Sequence, residues 1–206
     1  MVEAPADQID ADDNWIGGHY QLALELGIRD DARLETAFNA VIALTGMEGA
    51  WALTSVNPSA IEAVELTIAS TLQFGLLRGK VRLPTGELVV CAVHVVREEA
   101  EPPFYAPDWV VFDLPLGALI KVKPRIGGYP FGDTAGSLGW RTSLDDWMVG
   151  IARSLFDQVA FRLGLVGMEC SGDAYSDRLA DGVPERRPFG YLVPGEAGLT
   201  YFPATA

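Results

Sequence analysis

Apolar and polar residues alternate along the stretch HYQLALELG, residues 19–27. A period of two predicts a β-strand with one dry face and one polar face. The polar face consists of His19, Gln21, Ala23 and Glu25. Polar strand faces are mostly solvated, but a polar face that meets similar residues on a neighbouring strand would form a binding surface. Both interpretations stay open at this point.

Two stretches have the spacing of amphipathic helices instead. The first lies between Asp30, which suits a helix start, and Gly46, which suits a helix end. Its apolar positions are Leu34, Phe38, Val41 and Ile42. The second is expected to begin at Ser143, because Ser143 and Asp146 have the spacing of a capping box. Its stripe is Trp147, Ile151, Leu155 and Val159.

The other apolar stretches predict short strands. A strand is expected over 50–56, and Asn57-Pro58 should then break the chain and start a brief helical turn through about Val64. Dense β-branched residues favour a strand over 66–74. Residues 79–98 resemble a hairpin turning at Pro84-Thr85-Gly86, whose returning strand 88–96 is apolar on both faces and therefore central or covered on both sides. Further strands are expected at 109–112 and 165–172, one turn followed by extended chain at 114–122, and a closing hairpin within 190–205.

This order of elements predicts an α+β fold, a mostly antiparallel sheet with two amphipathic helices packed on it. Each helix is joined to a strand by a short turn, so two related β-α-β halves remain an open alternative. No convincing repeat of individual residues supports that alternative. We expect one domain over residues 15–206, since no linker looks long or flexible enough to separate two.

Residues 1–14 are acidic and contain no Lys or Arg. We expect them to form a disordered or loosely attached tail. They lack the basic start and apolar run of a signal peptide, and no apolar run approaches the ~18 residues of a membrane span. The expected compartment is therefore the cytoplasm.

The net charge of −13, from 15 basic and 28 acidic residues, argues against nucleic acid and anionic membrane surfaces as partners. It permits a basic protein partner and also simple solubility. The sequence does not indicate an oligomeric state.

Several classes of site have no matching motif. Nucleotide-binding glycine loops, HExxH, CxxC, an EF-hand loop and GxSxG are all missing from the sequence, so we expect no cofactor and no metal. An acidic loop with Asp173, Asp177 and Asp181 is weak evidence for calcium. Cys91 and Cys170 lie in apolar contexts that are typical of buried free cysteines.

His19 and His94 are the only histidines, so any histidine-dependent catalysis must use one of them. His94, within VVCAVHVV, is either a hydrogen-bonded core residue or a buried base that faces a pocket. Cys91 should point to the opposite face of that strand. His19 shares the polar face of its own strand with Gln21 and Glu25 and could act as an acid or base near neutral pH.

The connector GGYPFGDTAGSLGWRTSLDDW, residues 127–147, is glycine-rich and aromatic. It is either a packed connector or the rim of a ligand or protein contact, for which aromatics and arginine are common anchors. Asp145 and Asp146 would repel an anion at the helix start that follows. Its candidate binding residues are Tyr129, Phe131, Trp140 and Arg141.

Two functions are compatible with these features, and the sequence does not decide whether the protein is an enzyme. The first is a non-catalytic binding or interaction protein with a basic protein as its partner. The second is a small-molecule-binding sensor or an enzyme that uses the polar sheet face of His19 and Glu25 together with the aromatic connector.

Overall fold

The computed structural model describes residues 4–54, 57–97, 106–123, 135–196 and 198–206. Within these ranges the chain forms nine strands and four α-helices. The helices are α1 (Asp31–Thr45), α2 (Ile68–Phe74), α3 (Leu116–Val122) and α4 (Ala135–Phe156). The strands are β1 (His19–Gly27), β2 (Glu48–Thr54), β3 (Asn57–Ala63), β4 (Leu77–Arg82), β5 (Leu88–Val96), β6 (Asp108–Pro115), β7 (Leu163–Met168), β8 (Gly190–Gly195) and β9 (Gly198–Phe202).

All nine strands belong to one sheet in the order β3-β2-β4-β5-β6-β1-β7-β8-β9, and each pair of neighbours among the described residues is antiparallel. The predicted α+β class with a mostly antiparallel sheet is confirmed. Three strands separate β1 from β2, which flank α1, whereas one strand separates β6 from β7, which flank α3 and α4. Within the described ranges, the two helical connections therefore join strands at different separations in the sheet, which does not support two repeated β-α-β halves.

The first face of the sheet packs against the helices. Leu22 and Leu24 of β1 lie on it with Phe112 of β6, and all three are fully or almost fully buried. The ring of Phe112 meets Trp147 of α4 edge to face, with 5.9 Å between ring centroids. The apolar set of β1 thus lies where its period of two predicted. The main core is built between this face and the apolar stripes of α1 and α4.

The second face of the sheet is covered by the chain between β7 and β8, residues 169–189. Phe189 and Cys170 of this segment join a separate apolar cluster with Ala23 of β1 and Val111 of β6. The ring of Tyr175 packs edge to face on Trp109 of β6, with 5.8 Å between centroids. A segment that the sequence indicates as a polar loop therefore closes a second, smaller core.

Residues 4–16 also pack on the sheet, which differs from the expected tail. Ala6, Ile9 and Asn14 are buried, and residues 12–15 form a short 3₁₀ turn. The Val90 amide of β5 donates to the Ala6 carbonyl at 2.8 Å, so the segment extends the pairing of β5 beyond the end of β6. Acidic composition alone suggested poor order, but these few apolar and amide side chains supply the contacts that hold the segment.

Two element assignments within residues 57–74 are wrong. Asn57–Ala63 forms the edge strand β3, where a proline is tolerated because one side of an edge strand needs no ladder hydrogen bonds. Ile68–Phe74 is helix α2 and not a strand. The Thr67 hydroxyl caps it by accepting from the Ser70 amide at 3.1 Å, and this cap with local packing outweighs the β-propensity of the side chains.

Helices α3 and α4 also differ from expectation. Leu116–Val122 is helix α3 rather than a turn and extended chain. Helix α4 begins at Ala135, so the predicted capping box at Ser143 lies inside it. Arg141 and Leu144 are buried one turn apart on this helix. Tertiary packing therefore continues the helix through a stretch whose glycines have low intrinsic propensity.

Asn14 offers a test of how firmly the N-terminal segment is attached. Its Nδ2 donates to the Pro5 and Gln8 carbonyls, each at 2.9 Å, and the residue is fully buried. Asn14→Ala leaves both carbonyls without this donor, so we expect a loss of about 1–3 kcal/mol in the free energy of unfolding by urea denaturation. Asn39→Ala, at an exposed position of α1, is the matched control and should change it by less than about 0.5 kcal/mol. Equal effects of the two variants would show that the segment contributes little.

Candidate functional site

The polar residues of β1 are buried on the second face of the sheet. Gln21 is 4% exposed and Glu25 is 0% exposed. A solvated face was one of the two interpretations left open by the sequence, but residues 169–189 cover this part of the face. Each polar group in this layer therefore needs a partner inside the protein.

Glu25 anchors the covering segment. Its carboxylate accepts from the Ser176 amide at 2.7 Å and from the Ser176 hydroxyl. It therefore holds the start of the 3₁₀ turn Ser176–Arg178 against β1. Charge-assisted hydrogen bonds of this kind are stronger than neutral ones, so Glu25 has a clear structural role.

Gln21 links the covering segment to a histidine–aspartate pair, in which Asp113 is buried and His94 is partly exposed. Its Oε1 accepts from the Ser171 amide at 3.0 Å, and its Nε2 donates to Asp113 Oδ1 at 2.8 Å. The other oxygen of Asp113 lies 2.8 Å from His94 Nδ1. Asp113 on β6 is directly opposite Gln21 on β1 and Ala92 on β5, and His94 lies two residues from Ala92 on the same strand face. The antiparallel register thus brings Gln21, Asp113 and His94 into one polar row. The hydrogen bond to Asp113 is compatible with both interpretations of His94, as a core residue and as a base that faces a pocket.

A pocket of about 160 Å³ adjoins this row. Trp109 of β6 and Tyr175 of the covering segment form two of its walls, and Ser171 forms part of another. His94 lies beside the pocket and not in its wall. It is two residues from the lining residue Val96 on the same strand face, roughly 6–7 Å along β5.

His19 occupies the end of β1 and interacts with Glu169. The His19 backbone amide donates to Glu169 Oε1 at 2.6 Å, and its Nδ1 is 3.3 Å from the same oxygen. Glu169 has a φ of 45°, a left-handed conformation that side chains other than glycine rarely adopt. This contact lies at the point where the chain leaves β7 to cover the second face.

Arg141 lies on the helix side of the sheet, away from His19, Gln21 and Glu25. It is 2% exposed, and its guanidinium donates to the Pro188 carbonyl at 3.4 Å and to the Ala206 carbonyl at 3.3 Å. The arginine thus connects α4 to the chain on either side of the β8–β9 hairpin. Tyr129 and Phe131 lie outside the described residues, as does the side chain of Trp140, so the connector as a binding rim stays a prediction.

Near Arg141, Tyr20 of β1 donates its hydroxyl proton to Asp145 of α4. Burial raises the pKa of Asp145, and burial together with the nearby Asp145 raises the pKa of Tyr20 well above 10. Burial also raises the pKa of Tyr201, which belongs to the same cluster. The cluster is therefore built to keep both phenols protonated.

A larger cavity, with a volume of about 380 Å³, lies on the first face between α1 and α2. Asp31 and Glu35 of α1 are exposed at its edge. Arg97, which follows β5, also lines it and donates to both carboxylate oxygens of Asp108 at 2.7 Å and to Asp31. Apolar walls come from Leu34, Phe38, Leu66 and Ile68.

Both cysteines are free and buried, as their sequence contexts predicted. Burial raises the pKa of both thiols well above the usual range, so neither is prepared to act as a thiolate nucleophile. Within the described ranges, no three His, Cys, Asp or Glu side chains are grouped as metal ligands. None of the helices described is both long and apolar enough to cross a bilayer.

Comparisons with protein-family models, with curated proteins and with solved structures found no match for this chain. Its function is therefore argued from its own side chains.

The sequence did not reveal that Asp113 and His94 meet. A single carboxylate inside the apolar strand WVVFDLP is the signal that could have found them, since a lone acid in a buried strand requires a partner. What the sequence alone lacked was the register of β5, β6 and β1, which places His94 and Gln21 on either side of Asp113.

Glu25→Gln tests the anchoring of the covering segment. The amide that replaces the carboxylate brings its own donor toward the Ser176 donors, so we expect a loss of about 1–3 kcal/mol in the free energy of unfolding in urea. Glu35→Gln is the control at an exposed position, with an expected change below about 0.5 kcal/mol. A Glu25→Gln protein as stable as the control would contradict the anchoring role.

The protonated phenols predict a loss of stability at alkaline pH. Because the pKa of Tyr20 is raised in the folded state, its contribution is complete below about pH 10 and is lost as the pH rises further, since only the unfolded state then releases the proton. The free energy of unfolding, measured in urea across this range, should fall less steeply with pH for Tyr20→Phe than for the wild type, by up to about 1.4 kcal/mol per pH unit. Tyr175→Phe, outside the cluster, is the control. Parallel curves for Tyr20→Phe and the wild type would exclude this linkage.

Proposed function

We propose that the protein is a non-catalytic binding protein for a basic protein partner, and that the cavity between α1 and α2 receives a cationic side chain of that partner. The supporting observation is the combination of an apolar cavity of about 380 Å³ with two exposed carboxylates at its edge. An aliphatic stem suits the apolar walls, and an ammonium or guanidinium group suits the edge.

The charge around the cavity favours a cation. Arg97 contributes one positive charge, but it is already bonded to Asp108 and Asp31. Counting these two acids with Glu35 against Arg97 gives a local charge of −2, from three carboxylates and one guanidinium. An anionic ligand would meet this excess of negative charge, whereas a cation would reduce it.

Other cations are also engaged within the protein. Lys80 Nζ lies 3.6 Å from Asp7 Oδ2, and Lys121 Nζ lies 2.9 Å from Asp13 Oδ2. With a net charge of −13, the remaining acidic surface would steer a basic partner toward the cavity at low ionic strength.

The alternative of a small-molecule sensor or an enzyme that uses His19 and Glu25 has less support. Glu25 is fully buried and bonded to Ser176, which leaves it no access to a substrate. His19 interacts with Glu169 at the end of its strand.

Charge reversal at Glu35 tests the proposal. A fluorescently labelled oligolysine peptide should bind with saturation, and Glu35→Lys should weaken binding at least about tenfold in fluorescence anisotropy. Glu62→Lys, on edge strand β3, changes the net charge equally, from −13 to −11, and should weaken binding less than about threefold. The same peptide with acetylated lysines should not bind.

Equal weakening by the two substitutions would mean that the peptide senses only the overall charge. That result, or no binding of oligolysine by the wild type at low salt, would count against the cavity as the binding site.

A further inference from the structure

A second site, on the opposite face of the sheet from the α1–α2 cavity, is indicated by His94 and the pocket beside it. The hydrogen bond to Asp113 selects one tautomer of the neutral imidazole. A carboxylate only accepts, so His94 Nδ1 carries the proton that is shared with Asp113 Oδ2 at 2.8 Å. In the neutral ring the other nitrogen, Nε2, is then a hydrogen-bond acceptor.

His94 is accessible where its partner is not. The His94 side chain is 19% exposed, whereas Asp113 is fully buried. The N-terminal segment 4–16 covers the sheet on the β4 side, where Trp15 packs on Arg78, and residues 169–189 cover it on the β1 side. His94 lies between these two coverings.

The pocket supplies flat apolar walls. Trp109 is opposite Val96 in the β5–β6 register, and the Trp109 and Tyr175 rings are edge to face. Ala106 and Pro107 complete the apolar lining, and Ser171 with Gly172 forms the remaining wall. The volume of about 160 Å³ corresponds to roughly five water-sized groups, which suits a single small ring system.

The polar row ties the pocket to the histidine. Ser171 belongs to the pocket wall, and its amide is bonded to Gln21, which is bonded to Asp113, which holds His94. The pocket wall and the imidazole are thus held in one hydrogen-bonded arrangement, as preorganised binding sites require.

We propose that this pocket binds a small neutral aromatic or heteroaromatic molecule that carries one O–H or N–H donor. Its ring lies against Trp109 and Val96, and its donor is bonded to His94 Nε2. A carboxylate ligand is disfavoured, because the buried Asp113 lies directly behind the imidazole and Asp173 is exposed two residues from Ser171. This site is independent of the proposed binding of a basic protein.

Phenol and anisole are matched probes, since they share a ring and differ in the O–H donor. The chain has only two histidines, so nitrogen NMR of the imidazoles resolves both. Without ligand, His94 should show a protonated Nδ1 and an unprotonated Nε2. Phenol should shift His94 Nε2 with saturation and leave His19 unchanged, and anisole should bind at least about tenfold more weakly.

Two variants complete the test. Val96→Trp fills the pocket and should abolish phenol binding while the His94 resonances of the free protein remain. His94→Phe should reduce the affinity for phenol to that for anisole, measured by quenching of tryptophan fluorescence, whereas His19→Gln should leave it unchanged.

The proposal is overturned if phenol leaves the His94 resonances unshifted, if phenol and anisole bind equally, or if Val96→Trp binds phenol like the wild type. The first two comparisons use the wild-type chain alone, so they remain decisive even if His94→Phe does not fold.

Discussion

The burial of two carboxylates, Glu25 and Asp113, on the second face of the sheet is the constraint on which the rest of the architecture depends. An ionised group removed from water is costly unless charge partners or hydrogen-bond donors surround it. Glu25 obtains donors from Ser176, and Asp113 obtains them from Gln21 and His94. These requirements determine which segment can cover the face and in which register the central strands must pair.

The two faces of the sheet consequently have different roles. On the first face, α1 and α4 bury an ordinary apolar core, and the cavity between α1 and α2 opens at its border. On the second face, polar side chains hold residues 169–189 and leave an imidazole at the edge of a small aromatic pocket. The two proposals follow this difference: a cationic side chain of a partner at the first face, and a small uncharged ligand beside His94 at the second.

How far the sequence predicts this arrangement depends on how local each signal is. The strand β1, the helix α1 with its Asp30 cap and Gly46 end, and the hairpin at Gly86 follow from short-range patterns and are confirmed. The strand predicted over 66–74 and the helical turn predicted after Asn57-Pro58 were wrong. Helix α2 depends on a threonine cap, and β3 depends on its position at the sheet edge, and the hydrophobic pattern reveals neither. Burial of the polar face of β1 depends on a segment about 150 positions away in the sequence, as the Gln21–Ser171 and Glu25–Ser176 bonds show. For the same reason, His94 could be singled out from the sequence but not connected to Asp113.

Amide hydrogen exchange at Ser171 and Ser176, measured residue by residue by NMR, tests whether the buried polar groups hold residues 169–189. Both amides donate to side chains of β1, at 3.0 Å to Gln21 and at 2.7 Å to Glu25. If the buried polar groups hold residues 169–189 against the sheet, both amides exchange slowly although they lie in a segment with little regular secondary structure. Exchange of both amides at the rate of an unprotected loop would show that the buried polar groups do not hold residues 169–189 against the sheet.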